Sequence, residues 1–376
     1  MLKILFISSV FVIFYSYIGY PISLYMAGWV RKKEIKKKPY YPEVTLIITA
    51  HNEEKRIKNK IINTLEILYP KEKLQIIIAS DGSTDRTNEI VFNYRIHGIE
   101  LLAIPIRGGK ENAQREALKL AKGEVIVFTD VATILEPTGL EQILSNFSDP
   151  AVGCVSSEDK FIGRDGKASG EGFYVRYEML LRRLECRVNS VVGLSGSFFA
   201  ARRTVCKDFS GDMQSDFRTL LNCVKMGLRG VCDPLAKGTY FDVSDDKREF
   251  DRKIRTVLRG LTVFFRHTEF LNVFRYGFFS YQYFCHKLLR WLVPLFLILA
   301  FSANLFLAMK SDIYFALFLG QIFFYCVALI GVKGKYTSAN LIKIPYYFLT
   351  VNVSIIIAWW RYLGGHRVVM WTPSER

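Results

Sequence analysis

Four short polar clusters stand out in the first third of the chain: His51-Asn52-Glu53-Glu54, Asp81-Gly82-Ser83-Thr84-Asp85, Arg107-Gly108-Gly109-Lys110 and Asp130. Carboxylates such as Glu53 and Asp81 can accept hydrogen bonds from a base N–H or from ribose hydroxyls. Arg107 and Lys110, on a loop opened by two glycines, can approach phosphate oxygens. Together the four clusters suit a nucleoside diphosphate. Taken singly each has an ordinary explanation, since Asp-Gly-Ser is a common turn or helix cap and Gly-Gly-Lys a common loop. His51 reads as a loop-stabilising residue and His286 as one that packs at an interface.

Position is what joins the clusters. From residue 44 short β-branched runs alternate with amphipathic stretches, the rhythm of a parallel sheet covered on both faces. Strands are expected at 44–50, 74–79, 100–106 and 124–129, with helices at 54–67, 85–96 and 111–121. Each strand runs out into one of the clusters, so a Rossmann-type α/β sheet brings all four to one edge, outside the carboxyl ends of its strands. Beyond residue 150 the periodicity weakens, with a Gly-rich loop at 163–172 and helices expected at 173–188 and 216–227. That half is expected to carry the acceptor site.

The remainder reads as membrane. Residues 4–28 hold no charge and are long enough to cross a bilayer as a helix. The block RKKEIKKK at 31–38 follows, placing residue 31 onward in the cytosol by the positive-inside rule. The run is too long for a cleaved leader and lacks an A-x-A site. Residues 247–290 mix Arg, Lys and aromatics as interface helices do. Apolar runs at 291–309, 313–332 and 344–360 follow. Counting spans puts the carboxyl end outside, but basic residues in the 333–343 loop and at Arg361, Arg367 and Arg376 leave its side open.

Composition narrows the function classes. The 376 residues are 50% hydrophobic with a formal charge of +16, a cationic surface suited to anionic headgroups, nucleotides and sugar phosphates. The basic residues are dispersed, without a helix-turn-helix or zinc-finger pattern, which argues against a nucleic-acid partner. Seven cysteines without a CxxC pair argue against a disulfide framework or a zinc site and fit a reducing cytosol. The apolar runs are few and almost free of charge, unlike a transport path.

The sequence then becomes specific. VTLIITAHNEE (44–54), SDGSTDRT (80–87), GGK (108–110) with Ala117 downstream, and VFTD (127–130) resemble the family-2 glycosyltransferases. GLSGSFFAARR (193–203), QSDF (214–217) and HKLLRW (286–291) extend the similarity more loosely, and the membrane runs resemble the polysaccharide-synthase branch that makes cellulose, hyaluronan, chitin and poly-N-acetylglucosamine. The resemblance implies a GT-A domain, α/β with a mostly parallel sheet, that moves a sugar from a nucleotide-sugar donor to a glycan or lipid acceptor. Residues Thr49 to Glu53 (with His51 and Asn52) and Asp81 would hold the base and ribose. Asp130 would be the first acid of the DxD motif that ligates Mg²⁺ or Mn²⁺, although Ala132 stands at the third position with Thr133 beside it. Asp216 would be the general base of the ED motif, with Ser215 in place of the preceding acid and Asp212 as a fallback; a helix start favours its negative charge. Arg290 and Trp291 would end the QxxRW motif and meet the diphosphate and the acceptor sugar, with Lys287 in the glutamine place; Trp291 reads equally as a membrane-belt aromatic. The tail from Trp371 to Arg376 resembles a terminal W-and-R motif.

The expected layout is therefore a membrane helix (1–30), a basic cytosolic linker (31–43), a donor half (44–150), an acceptor half (151–246), interface helices (247–290) and a membrane region with tail (291–376), set in the cell's inner membrane. Two alternatives remain: a transferase that adds one sugar to a polyprenyl phosphate or other lipid, or an inactive nucleotide-sugar-binding subunit of a synthase complex, the latter suggested by Ala132 and Ser215.

Overall fold

The computed structural model describes residues 1–162, 171–241, 246–333 and 340–368. Most of the Gly-rich loop at 163–172, the middle of the 333–343 loop and the Trp371–Arg376 tail lie outside the described residues. The described chain divides into two compact units, one holding residues 31–162 and 175–241 and the other residues 1–30, 171–174, 246–333 and 340–367.

The first unit is built on one eight-stranded sheet: β1 (Val44–Ala50), β2 (Leu74–Asp81), β3 (Ile99–Ile104), β4 (Val125–Asp130), β5 (Ile134–Leu135), β6 (Val152–Ile162), β7 (Phe198–Arg202) and β8 (Arg229–Phe241). Their spatial order is β3-β2-β1-β4-β7-β6-β8-β5. β1 lies between β2 and β4 and is parallel to both, and β3 is parallel to β2. All seven residues of β1 are buried, because both faces are covered and Val, Leu and Ile can fill either side. β7 runs antiparallel to β4 and to β6, so the sheet is mixed rather than mostly parallel beyond β4.

This topology positions the site. Four parallel strands end on one edge, at Ala50, Asp81, Ile104 and Asp130. The register sets Thr49 beside Asp130 across β1 and β4. Since β7 is antiparallel and pairs Phe198 with Thr129, the residues just before it, 195–197, arrive at that same edge.

Local boundaries differ from expectation for physical reasons. β3 ends at Ile104, where Pro105 removes the next ladder donor. The first helix runs Ile57–Leu65 rather than from 54, because the Glu53 carbonyl accepts from the amides of Arg56 and Ile57 and the preceding residues form loop. The basic linker is docked along the sheet unit. The Lys36 amide donates to Asp149 Oδ2 (3.1 Å), the Lys38 amide to Ser148 Oγ (3.0 Å), and Lys37 Nζ reaches Asp233 at 2.7 Å.

The second unit holds four helices long and apolar enough to cross a membrane: Leu2–Val30, Phe278–Ala308, Asp312–Gly331 and Ile342–Leu363. The second begins at Phe278 rather than 291, since residues 278–285 carry no charge and continue helically into it. Phe6 packs with Ala300, Ala303 and Leu307, and the Tyr15 and Tyr281 hydroxyls share a 2.7 Å hydrogen bond. The helix Asp246–Arg266 buries Ile254, Leu258, Leu261 and Phe264 on one face and carries its Lys and Arg elsewhere, the amphipathic pattern the sequence announces.

Candidate active site

The polar clusters meet at the strand ends as expected, and they are wired to one another. His51 Nδ1 lies 2.6 Å from the Asp81 carbonyl oxygen, and the ring is 8% exposed, a loop-holding role. Asn52, at φ +52°, accepts from the Thr84 amide (2.8 Å), while its own amide donates to Ser83 Oγ (3.1 Å). The Glu53 amide donates to Thr87 Oγ1, and its buried carboxylate is forked by Arg56 at 2.7 and 2.8 Å. Burial pushes the Glu53 pKa up, with Arg56 acting against it. Beside it, burial also acts to raise the Asp85 pKa, but the Thr87 hydroxyl and the Glu54 and Thr87 amides hold it below its ordinary value.

Asp81 has a more specific task. Its two carboxylate oxygens accept the backbone amides of Gly108 and Gly109, each at 2.8 Å, and the residue is 1% exposed. Charge-assisted bonds of this kind fix a loop firmly. In this state Asp81 shapes the Arg107–Lys110 loop instead of facing outward to a ribose. Gly82 completes the arrangement at φ +60°: a Cβ there would sit 2.8 Å from the Arg107 backbone nitrogen. Arg107 is half-buried on that loop.

Lys110 and Asp130 form the centre. Lys110 Nζ lies 2.5 Å from Asp130 Oδ1 and donates to the Gly196 carbonyl at 2.8 Å. The Asp130 amide donates to the Ser197 carbonyl (3.1 Å). Gly196 in turn abuts the proposed base, since a Cβ there would meet Asp216 Oδ2 at 3.1 Å. Asp216 is half-buried in the first turn of the helix Ser215–Lys225, where the helix dipole favours its negative charge, and Gln214 Nε2 donates to it at 3.2 Å. Asp212, the fallback, is exposed and hydrogen-bonded by Ser210. One carboxylate, one ammonium and a second carboxylate thus surround a bare stretch of backbone.

Among the described residues no cluster of three or more His, Cys, Asp or Glu could cage a metal. Asp130 Oδ1 is buried without a hydrogen bond, its Lys110 ion pair aside, and the Thr49 hydroxyl beside it is a buried donor without an acceptor. A hard divalent cation fits this donor set in one way, on the Asp130 carboxylate with phosphate oxygens and water supplying the rest.

Two groups escaped the sequence reading. Asp159, on β6, accepts from Ser195 Oγ (2.5 Å) and Ser197 Oγ (3.0 Å), with Arg182 at 3.6 Å, and so brackets Gly196 from the far side. Nothing in the run SSEDKF marks Asp159 until β6 and β7 are paired. Lys60 is wholly buried, and burial lowers its pKa to about 7, with Asp130 opposing the drop. Its signal was present: Ile57, Lys60, Ile61 and Thr64 share one helical stripe.

Arg290 and Trp291 belong to the membrane unit. The Arg290 guanidinium lies over the Tyr17 ring, 5.8 Å from its centroid, and is 7% exposed with its residue. Trp291 meets Phe264 edge-on at 5.7 Å, a Cβ at Gly260 would lie 2.9 Å from its ring, and its carbonyl accepts from Trp359 Nε1 (2.9 Å). At 9% exposure the indole is committed to helix packing and offers no open face for a sugar.

The comparisons agree with this architecture. Residues 45–209 match the model of glycosyl transferase family 2. A poly-beta-1,6-N-acetyl-D-glucosamine synthase of Staphylococcus epidermidis is 23% identical over 170 residues, covering 44% of this chain and 40% of that protein. The Staphylococcus aureus protein of the same name is 25% identical over 171 residues, with the same coverage. The chain therefore aligns with less than half the length of these relatives. A mannosyltransferase from Pyrobaculum calidifontis, solved with GDP-Man and Mn²⁺, superposes with a TM-score of 0.74 at 22% identity, covering 98% of this chain and all of that one. With the strand order, the wired motif loops and the family match in hand, residues 45–209 are a family-2 glycosyltransferase domain on the GT-A fold.

Proposed function

We propose that this chain is a membrane-anchored hexosyltransferase that moves a sugar from a nucleoside-diphospho-sugar to a membrane-associated acceptor, with inversion at the anomeric carbon and with its sheet unit in the cytosol. The observation that carries the reading is the meeting of Asp130, Lys110 and Asp216 around Gly196. Asp216 takes the proton of the acceptor hydroxyl as it attacks. Lys110 and Arg107 face the departing diphosphate, where fixed positive charge contributes most. Asp130, with phosphate oxygens, would hold Mg²⁺ or Mn²⁺, which neutralises charge on the diphosphate. The Mn²⁺ in the Pyrobaculum mannosyltransferase and the metal-compatible chemistry of Asp130 support a divalent cofactor.

Between polymer synthesis and single addition, Trp291 favours the second. The residue that would stack on a growing chain is occupied by Phe264 and Gly260, and Lys287 stands in the glutamine place. We therefore read the acceptor as a lipid-linked phosphate or glycan that receives one sugar. Product analysis tests this: NMR of material made from an α-linked donor should show a β linkage and one added residue. An α linkage would refute inversion, and long product would restore the synthase reading.

A further inference from the structure

The helix Ile57–Leu65 carries a lysine in its apolar stripe. Lys60 is 0% exposed, flanked by buried Ile57, Ile61 and Thr64. Enclosing an ammonium is unfavourable unless acceptors replace its water, and an aliphatic side chain would fill the same space without that penalty. Two acceptors are supplied. Lys60 Nζ donates to the Thr133 carbonyl at 2.6 Å and to Thr129 Oγ1 at 3.2 Å.

These two residues bracket Asp130. Thr129 precedes it at the end of β4, and Thr133 closes the turn behind it through its amide, which donates to the Asp130 carbonyl at 3.2 Å. One buried amine thus ties both limbs of the turn to the helix that follows the first motif loop. On its outer side the same Asp130 meets Lys110. With Ala132 at the place of the motif's second acid, Asp130 is the sole carboxylate on this turn, so its placement rests on how firmly the turn is held.

We propose that Lys60 is a positioning residue for the donor diphosphate: it clamps the Asp130–Thr133 turn from inside the fold and so fixes the Asp130 carboxylate where the diphosphate and its cation meet it. This rests on the donor-site reading of Asp130 given above. A residue that acts this way changes ligand affinity and local backbone protection without changing global stability in parallel. Lys60→Met keeps the length of the aliphatic stem and removes the donor.

The test is calorimetric titration of the full-length protein in nanodiscs with UDP, GDP, ADP and CDP, each with Mn²⁺, on wild type, Asp130→Asn and Lys60→Met. Hydrogen exchange of the 130–133 amides and a thermal melt accompany it. The expected result is wild-type binding of at least one diphosphate, lost in Asp130→Asn and weakened about tenfold or more in Lys60→Met, with faster exchange at 130–133 and an equal or higher melting midpoint. Binding by Lys60→Met within about twofold of wild type overturns the proposal while leaving the donor site standing. Wild-type affinity unaffected by Asp130→Asn, or no binding of any diphosphate, overturns the donor-site reading and this proposal with it. Should Lys60→Met not fold, Thr129→Val, which removes one of the two acceptors, is expected to bind about threefold or more weakly; unchanged affinity there overturns the clamp.

Discussion

At the scale of single residues the site is a set of charges held partly by one another and partly by backbone amides and carbonyls. Asp81 shows what this implies. Its two oxygens hold the Gly108 and Gly109 amides, and a bond to a charged group contributes about 1.5–3 kcal/mol. Asp81→Ala should therefore release the Arg107–Lys110 loop and raise the donor KM by roughly 10- to 100-fold, with a smaller change in kcat; an unchanged KM would show that the loop holds itself. Asp216→Asn should act differently. Removing the proton acceptor is expected to lower kcat by about 10²-fold or more while nucleoside diphosphate affinity stays at the wild-type value, a split visible in steady-state kinetics set beside direct titration. Lys60 adds a pH dependence of stability. Its pKa falls to about 7 in the fold, whereas an unfolded lysine titrates near ~10.4. Between those values the unfolded chain binds more protons, so folding stability should rise as pH is raised from about 7 toward about 10, by an amount on the order of a few kcal/mol. Thermal melts across that range should show the rise in wild type and its absence in Lys60→Met; parallel curves would contradict it.

At the scale of elements the decisive fact is that β7 runs against β4. The parallel strands β1 to β4 deliver the donor motifs, and their legibility in sequence followed from β-branched runs ending in polar clusters at regular spacing. The antiparallel return is what brings Gly196 beside Lys110 and Asp216, and no periodicity in residues 150–200 announced it, because pairing between distant strands leaves no local trace. For the same reason Asp159 was invisible while Asp130 was not. Lys60 lay in plain view on an apolar stripe, but a lysine there also fits a half-exposed helix until burial is known. Trp291 reads as part of a sugar-binding motif by spacing alone, yet its partners Phe264, Gly260 and Trp359 come from helices that sequence could not set against it. The turn after β2 gives a prediction at this scale. Gly82→Ala would force a side chain into φ +60° and bring a Cβ to 2.8 Å from the Arg107 nitrogen. It should cost roughly 1–3 kcal/mol in stability, read as a lower melting midpoint, and raise the donor KM alongside; a wild-type melt would mean the loop relaxes freely.

At the scale of the whole molecule, two units of different chemistry share one chain. Among the described residues a mixed sheet with its motif loops makes the first, and the second carries four long apolar helices and an amphipathic one. The basic stretch after Val30 is pinned along the sheet unit through Asp149, Ser148 and Asp233. In the proposed orientation that stretch, and with it the sheet, lies in the cytosol. A single cysteine at Lys32 in a background lacking exposed thiols should then resist impermeant maleimides in intact cells and react after lysis; labelling from outside would invert the topology. In the proposed function the edge where Asp130, Lys110 and Asp216 meet transfers a sugar. That transfer is tested most directly by following nucleoside diphosphate release from a panel of nucleotide sugars, with Mn²⁺ and membrane lipid as acceptor source, on wild type, Asp130→Ala and Asp216→Asn. Release is expected from a restricted set of donors and lost in both variants; no release from any donor by folded wild-type protein, or release undiminished in Asp216→Asn, would refute sugar transfer at this edge.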